Sequence, residues 1–498
     1  MEQRDFLENV IWETASPEAV GIPSDAVIHF LQELEKEKYC LHAFMLMRHG
    51  KLCFSAASAP YTLDTPHRVF SAGKSILALS VFFAMQEGKL SPDDSISPFF
   101  RDMLSGDTRF DTMTVRDVLT MRTGQTDDPF VAILRDLDAD LTRLFFSVPP
   151  VEAPGTTFRY NNTVPHIVYS LAERATGIPF EQYQQSHLCG PLHAPVIAPT
   201  NNLGQYNPVV MAMSANTLLK FAQFFLQEGE WKGKQLLDSS YIREAASLKT
   251  RTGLVGNSAE YGYQIWRNAF GGYRMDGGWG QYAIILPEFD LAAVILSDMP
   301  DSSFALKAFE TELVRYLSPA PLYENTASAS VLRSLGESLT LAPEGGNSSS
   351  PDQDIWFQRV YNFPAQQMNM RFDASEGKLI LTVSHAGTTQ RFSCGLSSSW
   401  EKNARHLFVE PERTVDNGVY CLDKNECLLS GTWRSGSVFE MTGKSLGALG
   451  RYLYRFTFSH ESLTVEFPCR VCRGSTGLQD AVCWRSERGE ADNASSKV

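Results

Sequence analysis

The chain has 498 residues, 43% hydrophobic and 20% charged, with a net charge of −13. That length exceeds what one hydrophobic core usually holds, so two domains are expected. The acidic balance, with no basic strip to offset it, argues against nucleic acid and membrane as partners and describes an ordinary globular protein. The start, Met1-Glu2-Gln3-Arg4-Asp5, leads into no apolar run of signal-peptide length, and no later segment reaches transmembrane length, which predicts a cytoplasmic protein. Nine cysteines scattered from Cys40 to Cys483 fit reduced thiols better than a disulfide framework.

Ser24-Asp25 caps a helix whose Val27, Ile28, Leu31 and Leu34 recur at helical spacing. Two strand-like runs, Ala43 to Met47 and Leu52 to Ala56, are joined by Arg48-His49-Gly50-Lys51 as a β-hairpin. Next comes Phe70-Ser71-Ala72-Gly73-Lys74-Ser75, followed by an apolar run from Ile76 to Met85 that closes at Glu87-Gly88 and predicts a buried helix. Ser71 falls in its first turn, and Lys74, three residues on, shares its face. The Ser71 backbone N–H is one of the donors a helix start leaves unpaired. A hydroxyl, an amine and a free N–H are what an acyl-transferring serine needs without a histidine: Lys kept neutral by burial takes the proton, and the N–H steadies the oxyanion. Ser-x-x-Lys is also what a helix cap followed by a solvated lysine looks like, so the pattern needs support from elsewhere in the chain. His67, alone in a loop, reads as structural.

Thr114 to Met121 reads as a short helix with a Thr114/Asp117 capping box and Gly124 at its end. Helical pieces dominate to about residue 250. Among them Pro154-Gly155-Thr156-Thr157-Phe158-Arg159-Tyr160-Asn161-Asn162 is a polar turn before a helix over Ile167 to Thr176. From Tyr261 the pattern turns to strands: Gly262 to Trp266, Gly272 to Met275, Tyr282 to Leu286 and Leu291 to Leu296, the last two joined by a turn at Pro287-Glu288-Phe289-Asp290. Between the second and third lies Asp276-Gly277-Gly278-Trp279-Gly280-Gln281, with glycine at three of six positions, which marks close backbone approach or positive φ. Ser302 to Leu317 reads as a closing helix. Strands at both ends with helices between them predict an antiparallel sheet completed by both termini of one domain, residues 1–318.

Residues 319–354, rich in Pro, Ser, Gly and Asn, read as a linker with a short helix around Val331. Short strand-like runs at Met368 to Phe372, Lys378 to Val383, Leu407 to Val409, Leu428 to Trp433, Tyr452 to Phe458 and Leu463 to Phe467 predict a smaller all-β C-terminal domain over 355–484. The charged tail, 485–498, reads as disordered. Cys469-Arg470-Val471-Cys472 with Cys483 lacks a second pair at zinc spacing and a following histidine, so no metal is expected.

Ser71-x-x-Lys74, Tyr160-x-Asn162 and the Gly-rich segment before the last hairpin stand in an order that resembles the serine β-lactamase and penicillin-binding family, in particular class C β-lactamase-like esterases and amidases. The resemblance spans roughly residues 15–318. It takes in Leu41-His42, Arg48-His49-Gly50-Lys51, Thr114-Val115-Arg116-Asp117-Val118-Leu119-Thr120-Met121, Pro154-Gly155-x-x-Phe158 and Gly280-Gln281-Tyr282. It implies an α/β (α+β) fold, an antiparallel sheet with an inserted helical lobe, in a bacterial enzyme needing no cofactor. By that resemblance Ser71 is the nucleophile, and Lys74 and Tyr160 share the general-base work, Tyr160 later protonating the leaving group. Asn162 holds Lys74 or the substrate, and the second oxyanion N–H comes from the strand edge near Gly278, Trp279 and Gly280.

The departure is at the third motif. Relatives that act on β-lactams or peptidoglycan present Lys-Thr-Gly there, or His for Lys, where this chain has Asp276-Gly277-Gly278, with Arg274 as the nearest cation. A substrate carboxylate would lose a charge-assisted bond of about 1.5–3 kcal/mol. The implied activity is therefore that of an esterase or amidase on small-molecule substrates. The alternatives are a β-lactamase or D-amino-acid peptidase, an acyltransferase, or a slowly turning acylatable sensor. The all-β domain resembles the lipocalin-like accessory domain of such hydrolases, with a role in lining the pocket or in forming a homodimer.

Overall fold

A computed structural model describes residues 12–486, apart from 130–138, 199, 202, 206–210, 300, 342, 344, 358, 397, 405–406, 408–414, 417–418, 421–426, 447–451 and 468–481. The chain divides into two compact units, Met1–Leu339 with Val415–Tyr420, and Thr340–Thr414 with Cys421–Val498.

The first unit is built on an eight-stranded antiparallel sheet. Its strands are β1 (Leu41–Arg48), β2 (Lys51–Ala57), β3 (Thr250–Arg251), β4 (Glu260–Tyr261), β5 (Trp266–Arg267), β6 (Tyr273–Gly277), β7 (Gln281–Leu286) and β8 (Leu291–Ser297), in the spatial order 2-1-8-7-6-5-4-3. β1 pairs with β8 in the register Phe44↔Ile295, so the two ends of the domain meet in one sheet, as the strand pattern predicts. Side chains alternate along a strand, so Ala43, Met45 and Met47 enter the core that holds helices α2 (Ala72–Gln86) and α5 (Ala215–Leu226). Phe44 and Leu46 enter the opposite core, with α1 (Ser24–Lys36), α6 (Ser303–Ala308) and α7 (Thr326–Ser338). With both faces covered, every residue of β1 is buried.

Between β2 and β3 runs the helical lobe, with α3 (Val115–Leu119) and α4 (Val164–Thr176). The α3 capping box forms as the sequence predicts, Thr114 and Asp117 each bonding the other's backbone N–H. Helix α2 is apolar on nearly all sides because it is wrapped on all sides, packing on α4 in the lobe and on β6 and β7 of the sheet.

In the run Gly262 to Trp266 only Trp266 is strand, the first residue of β5; Gly262 to Ile265 form the turn from β4, since Tyr261 pairs directly with Trp266. A Cβ on Gly262 would lie 2.0 Å from the Ala245 carbonyl, and Gln264 sits at φ +57°. The Gln264 side chain bonds the Val118 and Leu119 carbonyls, spending the polar group that the strand pattern points to solvent. The closing helix changes its hydrogen-bond spacing along its length, from α over Ser303–Ala308 to π over Phe309–Leu313 and 3-10 over Val314–Tyr316. Within residues 319–354, α7 puts Leu332 and Leu335 against the core of the first unit, and Leu339, just past its end, packs there too.

The second unit is a ten-stranded, barrel-like sheet of β9 (Val360–Phe363), β10 (Met368–Ser375), β11 (Lys378–His385), β12 (Thr388–Gly395), β13 (Glu401–Asn403), β14 (Cys427–Trp433), β15 (Val438–Ser445), β16 (Tyr452–Phe458), β17 (Leu463–Phe467) and β18 (Val482–Arg485). Met368, Met370 and Phe372, with Leu379, Leu381 and Val383, alternate into a core shared with Trp433, Phe439 and Phe456. Leu407 lies in a turn, and Val409 and the Cys469/Cys472 pair fall outside the described residues. Among the described residues no helix is long and apolar enough to cross a membrane.

Candidate active site

Ser71 is the N-cap residue of α2, with φ −64° and ψ −13°. It follows Phe70 at φ +47°, a left-handed conformation that costs an aromatic residue about 1–3 kcal/mol and that packing must hold in place. The first turn closes tightly: Ala72 N–H donates to Val69 O at 3.1 Å, Gly73 N–H to Phe70 O at 3.0 Å and Lys74 N–H to Ser71 O at 3.1 Å. Those bonds occupy the next three donors, and among the described residues the Ser71 N–H has no partner.

Lys74, 3% exposed, donates to Ser71 Oγ at 2.7 Å and to Asn162 Oδ1 at 3.0 Å. Asn162 is fixed in turn by Asp128, whose Oδ2 accepts from both the Asn162 backbone N–H and Nδ2 at 3.0 Å. The Lys74 nitrogen stands 4.8 Å over the Tyr160 ring, which also stacks on Trp266 at 5.7 Å. The Tyr160 hydroxyl bonds Ser71. Residues 71, 74, 160 and 162 thus form one connected cluster.

The Gly-rich segment reaches the same place through Gly277. A Cβ there would lie 2.0 Å from the Val69 carbonyl, so only glycine lets β6 end against the backbone just before Ser71. The β6–β7 turn follows, with Gly278 exposed, Trp279 at φ +67° and Gly280 at φ +83°. A Cβ on Gly280 would run into Tyr39 and Ser297, so this position too requires glycine.

Arg274 is 1% exposed, and its guanidinium is spent within the protein. It binds Asp276 Oδ2 through Nε at 2.8 Å and Nη2 at 2.6 Å, and Asn257 O and Asn268 Oδ1 through Nη1 at 2.8 and 3.1 Å. Both bonds from Arg274 to Asp276 fall on Oδ2, and among the described residues Oδ1 accepts none.

Burial pushes Lys74 down to about 7, against the pull of Asp128 and Asp276, so a substantial neutral fraction exists at neutral pH. Burial moves Tyr160 the other way, above the ordinary tyrosine value, with Asp276 and Asp128 adding to it and the Ser71 bond opposing. Burial also raises Asp276, which Arg274 and Lys74 counteract. Burial thus favours the neutral form of both side chains, the amine of Lys74 and the phenol of Tyr160.

Sequence reading overlooked Asp128 and Trp266. Asp127-Asp128 reads as a polar loop, and nothing local marks which carboxylate turns toward Asn162. Trp266 was legible only as a strand residue. The described His, Cys, Asp and Glu residues form one group with metal-ligand spacing, Cys40, His42 and Asp298, and Ser71's neighbours are not among them.

No curated protein matches the chain. Among solved structures, a family VIII carboxylesterase superposes with a TM-score of 0.51 at 15% identity, over 61% of this chain and 99% of its own. The D-amino acid amidase from Ochrobactrum anthropi SV3 gives 0.47 at 16% identity, over 58% and 96%. The octameric penicillin-binding protein homologue from Pyrococcus abyssi gives 0.47 at 13% identity, over 93% and 98%. The likeness to the carboxylesterase is one of fold. The Beta-lactamase family model matches residues 42–314, more than half of the sequence, and so the chain belongs to the beta-lactamase family and is a serine hydrolase.

Proposed function

We propose that the protein hydrolyses ester or amide bonds of small molecules through an acyl-enzyme on Ser71, and that it prefers acyl groups without a carboxylate at the position where β-lactams carry theirs. Neutral Lys74 takes the proton of the Ser71 hydroxyl as Oγ attacks the substrate carbonyl. The carbonyl π electrons move onto oxygen, which the Ser71 N–H and an N–H of the Gly278–Trp279 turn stabilise. When the tetrahedral species collapses, Tyr160 donates its proton to the leaving oxygen or nitrogen and recovers one from Lys74. Water then repeats the sequence on the acyl-enzyme, releasing the acid and restoring Ser71.

The observation that carries the substrate preference is the Arg274–Asp276 pair. The motif position that would present a cation presents a carboxylate, and the nearby guanidinium is already bonded to Asp276 and to backbone. The test compares p-nitrophenyl butyrate with nitrocefin, with intact-mass detection of the acyl-enzyme. The ester should win by at least about a hundredfold in kcat/KM, or roughly 2.7 kcal/mol of transition-state discrimination. Comparable rates would return the protein to the antibiotic-hydrolysing branch.

A further inference from the structure

Cys40, His42 and Asp298 each direct one ligand atom to a common point, with all three atoms within 4.8 Å of one another. Cys40 and His42 are two apart on the extended chain and so share a face. Leu41 pairs with Ser297 and Ala43 with Leu296, which leaves His42 as the extra residue of a β-bulge. Bulges re-aim a side chain, and this one holds the imidazole 1% exposed, stacked on Tyr61 at 4.1 Å, with the nitrogen Nε2 3.6 Å from Cys40 Sγ. Asp298 arrives from the opposite strand, its N–H bonded to the Cys40 carbonyl at 3.0 Å.

A tetrahedral metal with bonds of 2.0–2.3 Å sets its ligands about 3.5 Å apart. The Cys–His spacing of 3.6 Å already matches, and the carboxylate, within 4.8 Å of both, needs to close by no more than about 1.3 Å. One thiolate, one imidazole and one carboxylate form a mixed set of the kind that takes Zn2+ with a fourth position left for water. We propose that these three residues form a site for Zn2+ or a similar first-row divalent ion, the Cys40 thiol releasing its proton to solvent on binding.

The position gives the site a structural role toward Ser71. Asp298 lies between Ser297, whose Oγ donates to the Trp279 carbonyl at 2.7 Å, and Met299, whose N–H donates to the same oxygen at 3.1 Å. An ion that fixes Asp298 therefore fixes the strand end that holds the Gly278–Trp279–Gly280 turn.

The full-length protein, stripped with chelator, is titrated with Co2+ and with Zn2+. The expected result is one Co2+ per chain with a near-ultraviolet thiolate-to-cobalt band, displaced by Zn2+. Cys40→Ser should abolish the band, and Asp298→Asn should weaken binding by at least about tenfold, with unchanged circular dichroism as the folding control. Hydrogen exchange of the Trp279 and Gly280 amides should slow on Zn2+ addition in the wild type and not in Cys40→Ser. No binding, or a cobalt band that survives in Cys40→Ser, overturns the site. Binding at Cys40 with no change in exchange at the turn overturns its link to Ser71.

Discussion

Replacing Lys74 with Met keeps the length of the side chain and removes the amine, which should destroy catalysis and stabilise the fold in a pH-dependent way. Lys74 titrates near 10.5 when unfolded and about 7 when buried. Between those values the unfolded chain holds more protons than the folded one, so the wild type gains stability as pH rises through the window. The burden on the native state is about 4 kcal/mol at pH 7, about 2 kcal/mol at pH 9, and vanishes above 10.5. Met carries no such burden. It also forfeits the bonds to Ser71 and Asn162, about 1 kcal/mol each, which leaves a net gain of about 2 kcal/mol at pH 7. Urea unfolding at pH 7 and pH 9 measures the gap between the two proteins, which should shrink by about 2 kcal/mol at the higher pH. A gap that did not change with pH would refute a neutral Lys74, and with it the assignment of this residue as the proton acceptor.

Fluorophosphonate should label Ser71 alone, as read by peptide mapping; an adduct elsewhere would displace it as nucleophile. Tyr160→Phe and Lys74→Ala should each lower kcat by about a thousandfold, and the double mutant should lose little more, because groups acting as one device are not additive. Asn162→Ala, which moves no proton, should be milder in the same assay. Gly277→Ala forces a Cβ to within 2.0 Å of the Val69 carbonyl and should slow Ser71 labelling, whereas Gly278→Ala, with open space around its Cβ, should be tolerated. His166 is fully buried and pushed down to about 3 by desolvation, with Lys74 adding to it. The native state should therefore lose about 1.4 kcal/mol per pH unit as pH falls from 6.5 toward 3, a slope that His166→Leu should remove in acid-unfolding curves.

The Ser71–Lys74 contact was legible because helical periodicity alone puts residues three apart on one face. The Thr114/Asp117 box and the β1–β2 hairpin were legible for the same reason, each being decided within a few residues. Gly262 to Ile265 were misread because their apolar spacing suits a strand, while the real constraint is the Ala245 carbonyl on a neighbouring segment. The same holds for the supports of the site: Asp128 against Asn162, Trp266 against Tyr160 and Val69 against Gly277 join parts of the chain far apart in sequence. Arg274 could be named from its position, but its bonding to Asp276 and Asn268 depends on how β6 is packed.

The pairing of β1 with β8 also sets the order in which the protein can be made. Residues 41–48 find their partners at 291–297, so the first strand emerges from the ribosome about 250 residues before the strand that completes its ladder. At about 5–20 residues per second that is a wait of roughly 10–50 s. During it, Phe44, Leu46 and Ile28 have no β7–β8 surface to cover them, whereas α2 and α4, separated by fewer than a hundred residues, can already meet. Long-range closure of this kind makes folding slow and exposes an apolar β1–β2 hairpin in the interval. A nascent chain stalled before Gln281 should therefore hold a structured helical lobe and an unpaired β1, and should recruit a chaperone that a chain released after Ser297 no longer needs.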